Sequence, residues 1–230
     1  MKNKIFVACD TSNINIVKKI IKNTKTEKLN IIPKFGMEFF YSQNAREFLK
    51  NYKKQFWLDL KINDIPQTSL GAFKSLNDLK NLKYMTVHAS CGFKTLKAIK
   101  KKVRKDIKIL GVTILTSLKN EDLKTLGYSK PLNYIVNKQA KLIQKAGIDG
   151  LVCSGYEGGM LKKKFKKLFI VCPGIRMPGD KNNDQARIVT PHQALIKNKV
   201  DAIVMGRSIT KGNIKKNINK LISHLEKNVR

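Results

Sequence analysis

Short apolar stretches rich in β-branched residues recur along the chain, and lysine-rich amphipathic segments separate them. The stretches are KIFVAC (4–9), LNIIPKFG (29–36), QFWLDLKI (55–62), YMTVHA (84–89), IKILGVTIL (107–115), GLVCS (150–154), LFIVCPGI (168–175) and DAIVMG (201–206). Between them, Ile16, Ile20 and Ile21, then Leu96 and Ile99, then Ile135, Leu142 and Ile143 recur at helical spacing. An apolar run with no polar alternation marks a strand buried on both faces, which is the behaviour of parallel sheets covered by helices. Eight strand–helix units without a linker or low-complexity break predict an α/β fold, a single (β/α)8 TIM barrel spanning residues 1–230 as one catalytic domain. A doubly wound open sheet is the rival architecture, but no G-x-G-x-x-G follows the first strand.

Composition sharpens this reading. The chain has 230 residues, 42% of them hydrophobic, enough for a sizeable core, and no apolar run approaches the length of a membrane-spanning helix. The start, MKNKIFVACDTSN, is too briefly apolar for a signal peptide, so a cytoplasmic location is expected. The 47 Lys and Arg against 16 Asp and Glu leave a formal charge of +31, which invites a nucleic-acid reading. Yet only six of the basic residues are arginines, and Lys, Asn and Ile, which share AT-rich codons, dominate the chain. Aromatic residues make up 7% and are not interleaved with a basic cluster as stacking platforms would be, so neither a nucleic acid nor a membrane is expected as the main partner. Cys9, Cys91, Cys153 and Cys172 form no C-x-x-C pair and read as small core residues; no metal site is expected.

A barrel places its chemistry where strands end and loops begin. Those positions hold Asp10, Lys34, Asp59 with Lys61 and Asp64, His88, Thr116, Ser154, Pro173 to Arg176, and Gly206 with Arg207. In WLDLKINDIP (57–66), strand alternation sends Asp59 and Lys61 to the same side, into the barrel mouth. A structural ion pair is one reading of them, since buried charges need partners. Lys34 and Asp64 extend the set to a row of lysines and aspartates, able to hold an ammonium where a carbanion is protonated. Gly206 and Arg207, with the long polar loop 173–191, suggest a phosphate site. His88 reads as a structural strand-end histidine, His192 as lying at a helix start, and His224 as exposed.

The set VACD, PKFGMEFF, WLDLKINDIPQT, VHAS, VTILTS, VCSGYE, PGIRMPGDKNNDQARIVTP and VMGRSIT resembles, in order and spacing, the orotidine 5′-phosphate decarboxylases of bacterial type. Related barrels, the keto-gulonate phosphate decarboxylases and hexulose phosphate synthases, share the D-x-K-x-x-D core, lack the PGIR…DQ loop and usually use a metal. A sugar-phosphate decarboxylase or aldolase of that kind is the alternative. The resemblance implies decarboxylation of orotidine 5′-monophosphate to UMP without metal or organic cofactor, by an obligate homodimer with shared sites. It implies Lys61 as proton donor to C6 of the pyrimidine, Asp59 beside the substrate carboxylate, and Lys34 and Asp10 at the ribose hydroxyls. It also implies Asp64, with Ile65 and Thr68, reaching the neighbouring subunit's site, and Thr116 near the pyrimidine amide edge. Arg176, Gln185, Gly206 and Arg207 would hold phosphate and the closing loop. Asn63, Cys9 and Ser208 depart from the pattern, which usually has His at the first, often Leu at the second and commonly Pro at the third.

Overall fold

Each apolar run becomes a strand, and the strands close on themselves. The computed structural model describes residues 3–180 and 189–226. Strands β1 (Lys4–Ala8), β2 (Asn30–Gly36), β3 (Phe56–Ile62), β4 (Leu82–His88), β5 (Lys108–Val112), β6 (Gly150–Val152), β7 (Phe169–Cys172) and β8 (Ala202–Met205) form a closed barrel in sequence order. All neighbours pair in parallel, and β8 returns to β1 through Lys4 opposite Ala202. The covering helices are α1 (Ile14–Asn23), α2 (Met37–Phe40), α3 (Ala45–Asn51), α4 (Pro66–Lys74), α5 (Gly92–Lys102), α6 (Asn120–Thr125), α7 (Leu132–Lys145), α8 (Gly155–Lys164), α9 (Arg207–Thr210) and α10 (Ile214–Glu226), with a π-helical turn at Gln193–Lys197. Among the described residues, no helix is long and apolar enough to cross a membrane.

The strands are apolar throughout because both of their faces are interior. On β1, Phe6 and Ala8 face the barrel lumen while Ile5 and Val7 pack against the helices; on β8, Ala202 and Val204 face in and Ile203 and Met205 face out. The lumen is filled by side chains, with Phe6 at its centre packed edge-on to Trp57 and Tyr84, ring centroids 4.6 and 5.0 Å away. Several strands are shorter than the runs that predict them: β6 stops at Val152 and β5 at Val112, where the chain leaves the ladder for the loops of the mouth.

At the opposite end, the scarce acids close the barrel. Asp149, just before β6, accepts the Ile109 N–H at 2.9 Å and the Lys100 ammonium at 2.6 Å. Asp201, just before β8, repeats the device with the Ile170 N–H at 2.7 Å and Lys162 at 2.6 Å. Each carboxylate joins the preceding strand to a lysine of an outer helix through charge-assisted bonds. Truncating Asp201 to Ala leaves a strand N–H and a part-buried ammonium without this acceptor. The expected loss is about 2 kcal/mol, seen as a fall in Tm of about 4–8 °C by calorimetry.

Candidate active site

At the C-terminal ends of the strands a cavity of about 600 Å³ opens, and eight of the sequence-predicted residues line it: Asp10, Lys34, Asp59, Lys61, Thr116, Arg176, Gly206 and Arg207. They come from six different strand ends or the loops that follow. Two groups separate by chemistry, a row of alternating charges on the β1–β3 side and a pair of guanidinium groups from the loops after β7 and β8.

The row has a buried centre. Asp59 Oδ2 lies 2.9 Å from Lys61 Nζ and 3.3 Å from Lys34 Nζ, and Lys34 Nζ donates to Asp10 Oδ1 at 3.0 Å. Side-chain exposure falls from 52% at Asp10 and 32% at Lys61 to 11% at Asp59 and 7% at Lys34, so the outer members meet the cavity and the inner pair anchors them. Burial alone would raise the Asp59 carboxyl. The ammonium groups of Lys34 and Lys61, with hydrogen bonds from Lys61 and Thr86, outweigh it and hold the group below the usual carboxylate range. Lys34 shows the converse: burial would lower it, but Asp59 and Asp10 hold it above the usual lysine range. Asp59 and Lys34 are therefore ionised throughout the neutral range.

Two local features produce this row, and neither is visible in the alternation of β3. Between Leu58, opposite Met85, and Ile62, opposite Val87, three residues of β3 face the single residue Thr86. Within that bulge Lys61 takes φ +48°, a left-handed conformation costing a non-glycine residue about 1–3 kcal/mol. Thr86 holds both ends of the bulge, its Oγ1 accepting the Lys61 N–H at 2.9 Å and donating to Asp59 Oδ1 at 3.0 Å. Alternation brings Asp59 and Lys61 to one face; the bulge and Thr86 aim them at each other. The second feature is Gly36, opposite Asp59 on β2, where any Cβ would lie 2.5 Å from Asp10 Oδ1. Thr86 and Gly36 are the functional positions that sequence reasoning missed. The signal for Thr86 was a small hydroxyl between Met85 and Val87 in the strand. Trp57, the single tryptophan, forms the cavity floor two residues before Asp59.

At the other end, Arg176 is 8% exposed and donates from Nη1 to the carbonyl of Ile175 at 3.0 Å, while its buried Nε meets no acceptor among the described residues. Burial first, and the neighbouring Arg207 guanidinium second, disfavour its charge, with Asp180 offsetting part of this. Two guanidinium groups facing one cavity make that end of it attractive to an anion. Glycine at 206 is required neither by φ, which is −110°, nor by close packing, since a Cβ would meet only Ala8 Cβ at 3.7 Å. Its effect is to leave cavity space open. Ile175 pairs with Val189, so the chain leaves and re-enters the barrel mouth at one place; Gln185 lies outside the described residues.

Asp64, Ile65 and Thr68 stand apart from the cavity, exposed on the turn into α4, and the Asp64 carboxylate accepts its neighbour's N–H at 2.7 Å. The row within the chain thus has Asp10 in place of the expected Asp64, because β3 ends at Ile62 and the backbone turns away. Exposed apolar side chains of the surface include Met37 at 48%, Tyr41 at 74% and Ile65 at 65%. His88 ends β4, its Nδ1 3.3 Å from Ser90 Oγ, and burial and then Lys61 lower its pKa. His192 does begin a helical segment, after Pro191. The expectation that His224 is exposed fails: α10 turns Leu221, Ile222 and Leu225 into the core and carries the half-buried His224 ring edge-on to His192, centroids 6.3 Å apart. Cys9, Cys153 and Cys172 are buried core residues, while Cys91 is half-buried. Among the described residues no group of three His, Cys, Asp or Glu side chains is placed to hold a metal ion.

Residues 3–219 match the family described as "Orotidine 5′-phosphate decarboxylase / HUMPS family". The orotidine 5′-phosphate decarboxylase of Erythrobacter litoralis is 36% identical over 213 residues, covering 92% of this chain and 93% of its own. The enzyme of that name from Coxiella burnetii is 36% identical over 215 residues, 90% of this chain and 89% of its own. Among solved structures, orotidine 5′-phosphate decarboxylase from Lactobacillus acidophilus superposes with a TM-score of 0.80 at 28% identity, covering 97% of this chain and 99% of that one.

The charged row has a thermodynamic signature. Asp59 is depressed in the folded state, so its contribution is present above the unfolded carboxylate pKa of about 4 and lost as pH falls through the folded value. Lys34 is raised, so its contribution persists below the unfolded lysine pKa of about 10 and disappears as pH rises through the folded value. Asp59→Asn leaves two ammonium groups short of a buried counter-charge. At pH 7 it is expected to cost about 3 kcal/mol, about 6–12 °C in Tm. In melts recorded from pH 7 to pH 3 that deficit should shrink, and a pH-independent deficit would contradict the ionised row.

Proposed function

The chain belongs to the orotidine 5′-phosphate decarboxylase / HUMPS family, and from that premise we propose that it converts orotidine 5′-monophosphate to UMP and carbon dioxide, the last step of UMP synthesis. The observation that carries this reading is the placement of Lys61 Nζ 2.9 Å from the buried Asp59 carboxylate, in one cavity with Arg176 and Arg207. The nucleotide's phosphate lies at the guanidinium pair and Gly206, with Gln185 from the following loop. Its ribose hydroxyls meet Asp10 and Lys34, and Thr116 faces the pyrimidine amide edge.

At the reacting carbon the bond from C6 to the carboxyl carbon breaks, carbon dioxide departs, and the electron pair stays on C6. Lys61 stabilises that pair by its charge and then donates a proton to C6, becoming a neutral amine that solvent reprotonates. Because the ammonium is fixed before the substrate arrives, little reorganisation is required as charge develops. Lys34 and Asp59 hold it there. Asp59 also faces the substrate carboxylate, so the departure of carbon dioxide relieves a like-charge contact. Every charge the step requires belongs to the chain, and no metal or organic cofactor enters it.

Asp64, Ile65 and Thr68 act in the neighbouring subunit's site, across a homodimer interface that includes the exposed Met37, Tyr41 and Ile65. The dimer works in the cytoplasm, each chain one catalytic barrel, on a small-molecule nucleotide; neither nucleic acid nor membrane is a main partner.

In excess chelator the purified protein should consume orotidine 5′-monophosphate, followed by loss of its absorbance, and Lys61→Ala should lower kcat on the order of 10⁴-fold. Turnover that requires magnesium would point instead to a sugar-phosphate enzyme of the related barrels. Lys61→Ala and Asp64→Ala, inactive separately, should regain about one quarter of full activity when subunits are exchanged, since each hybrid dimer then has one intact site. No recovery would exclude the shared site.

A further inference from the structure

With 16 acidic residues against 47 basic ones, an acid placed beside Arg176 calls for a physical reason. Asp180 is such an acid, close enough to Arg176 to favour its charge. One carboxylate oxygen, Oδ2, accepts two hydrogen bonds: from the Met177 N–H at 3.1 Å and from Ser208 Oγ at 2.5 Å. The Asp180 N–H donates back to the Met177 carbonyl at 3.1 Å, closing a turn that Gly179 permits with φ +86°. Met177 directly follows Arg176, and Ser208 directly follows Arg207 on α9. A single oxygen atom therefore ties together the two segments that carry the guanidinium groups.

We propose that the Asp180–Ser208 hydrogen bond is a positioning latch that fixes the separation of Arg176 and Arg207 before an anion arrives. Both side chains repel each other, and each is attached to a loop or a one-turn helix. Without an internal tie, an incoming phosphate would have to draw the two segments together, and that ordering would be subtracted from its affinity. The latch sets the spacing in advance. Its two attributes act in opposite directions on a dianion: the hydrogen bond preorganises the site, while the carboxylate charge opposes the ligand. Ser208 supplies the donor at a position where the pattern this chain resembles commonly has Pro, which has no hydroxyl.

The proposal rests on the reading of Arg176 and Arg207 as a phosphate site, and the experiment separates the two. Affinities for UMP and for uridine are measured by titration calorimetry on the full chain, with thermal melts alongside. Ser208→Ala should weaken UMP by about five- to tenfold, Asp180→Ala by less because it also removes the opposing charge, and the double variant should be no weaker than Asp180→Ala alone. Asp180→Asn keeps an oxygen that accepts both hydrogen bonds while losing the opposing charge, so it should bind UMP as tightly as the unaltered chain or more tightly. Uridine affinity should not change. Unchanged UMP affinity in Ser208→Ala, additive losses in the double variant, or equal losses for uridine would overturn the latch. Should Asp180→Ala melt early, Ser208→Ala and Asp180→Asn decide the matter by themselves. The phosphate reading fails separately if Arg207→Ala leaves the preference for UMP over uridine intact.

Discussion

A carboxylate at the mouth of an apolar barrel stays ionised only where positive charge is built around it, and Asp59 imposes that requirement on its surroundings. Two ammonium groups meet one of its oxygens, a threonine hydroxyl meets the other, and a second acid shares one of the lysines. To seat these groups, β2 has glycine where a Cβ would strike Asp10, and β3 gives up its regular ladder and holds a lysine in the left-handed region. These local costs persist because the barrel wall leaves the strands no freedom to relax them. A charge assembled and held in this way is ready before any ligand is bound, the property that electrostatic catalysis requires.

The fold was legible because a parallel barrel buries both faces of each strand, and few architectures besides a barrel accommodate eight continuous apolar runs. The charged residues on β3 were legible as well, since alternation alone sends Asp59 and Lys61 inward. What alternation cannot convey is register. Thr86 matters because β4 sets it opposite the bulge, and Gly36 because β2 sets it opposite Asp59; both facts concern neighbouring strands and have no signature within their own. Asp64 shows the same limit in reverse. Proximity in sequence suggested Asp64 as a member of the row, yet the chain turns outward after Ile62 and leaves it on the surface. His224 was misread because a histidine between Ser223 and Leu225 gives no hint of the second ring against which it packs.

Two small groups among the 47 basic residues have specific placements in the structure. A few basic groups face the cavity, where their placement is specific: Lys34 and Lys61 at one end, Arg176 and Arg207 at the other. Other lysines lie over aromatic side chains of the framework. Lys97 and Lys145 cover Phe93, Lys138 covers Tyr134, and Lys4 and Lys108 cover Phe169 at the base of β7. Aromatic faces covered by the chain's own ammonium groups are occupied surfaces and not platforms open to nucleic-acid bases. The excess charge still produces a long-range field, and a phosphorylated, carboxylated ligand moves down it.

The cavity's two ends divide the work that one set of charges could not do alone. An ammonium strong enough in its attraction to hold a whole nucleotide would bind substrate and product alike, and uniform binding does not lower the barrier of the chemical step. Guanidinium groups at a distance from the reacting carbon can supply affinity through the phosphate, which the reaction leaves unchanged, and the lysine row is then free to respond to the charge that develops. The balance within each end follows from this division. Beside Lys61 the acid, Asp59, is buried and fixed, and on the proposed reading the position of the lysine's proton decides the reaction. Among the described residues the acid beside Arg176 is Asp180, at the edge of a loop, where the task we propose is to hold two like charges at the spacing that an incoming anion neutralises.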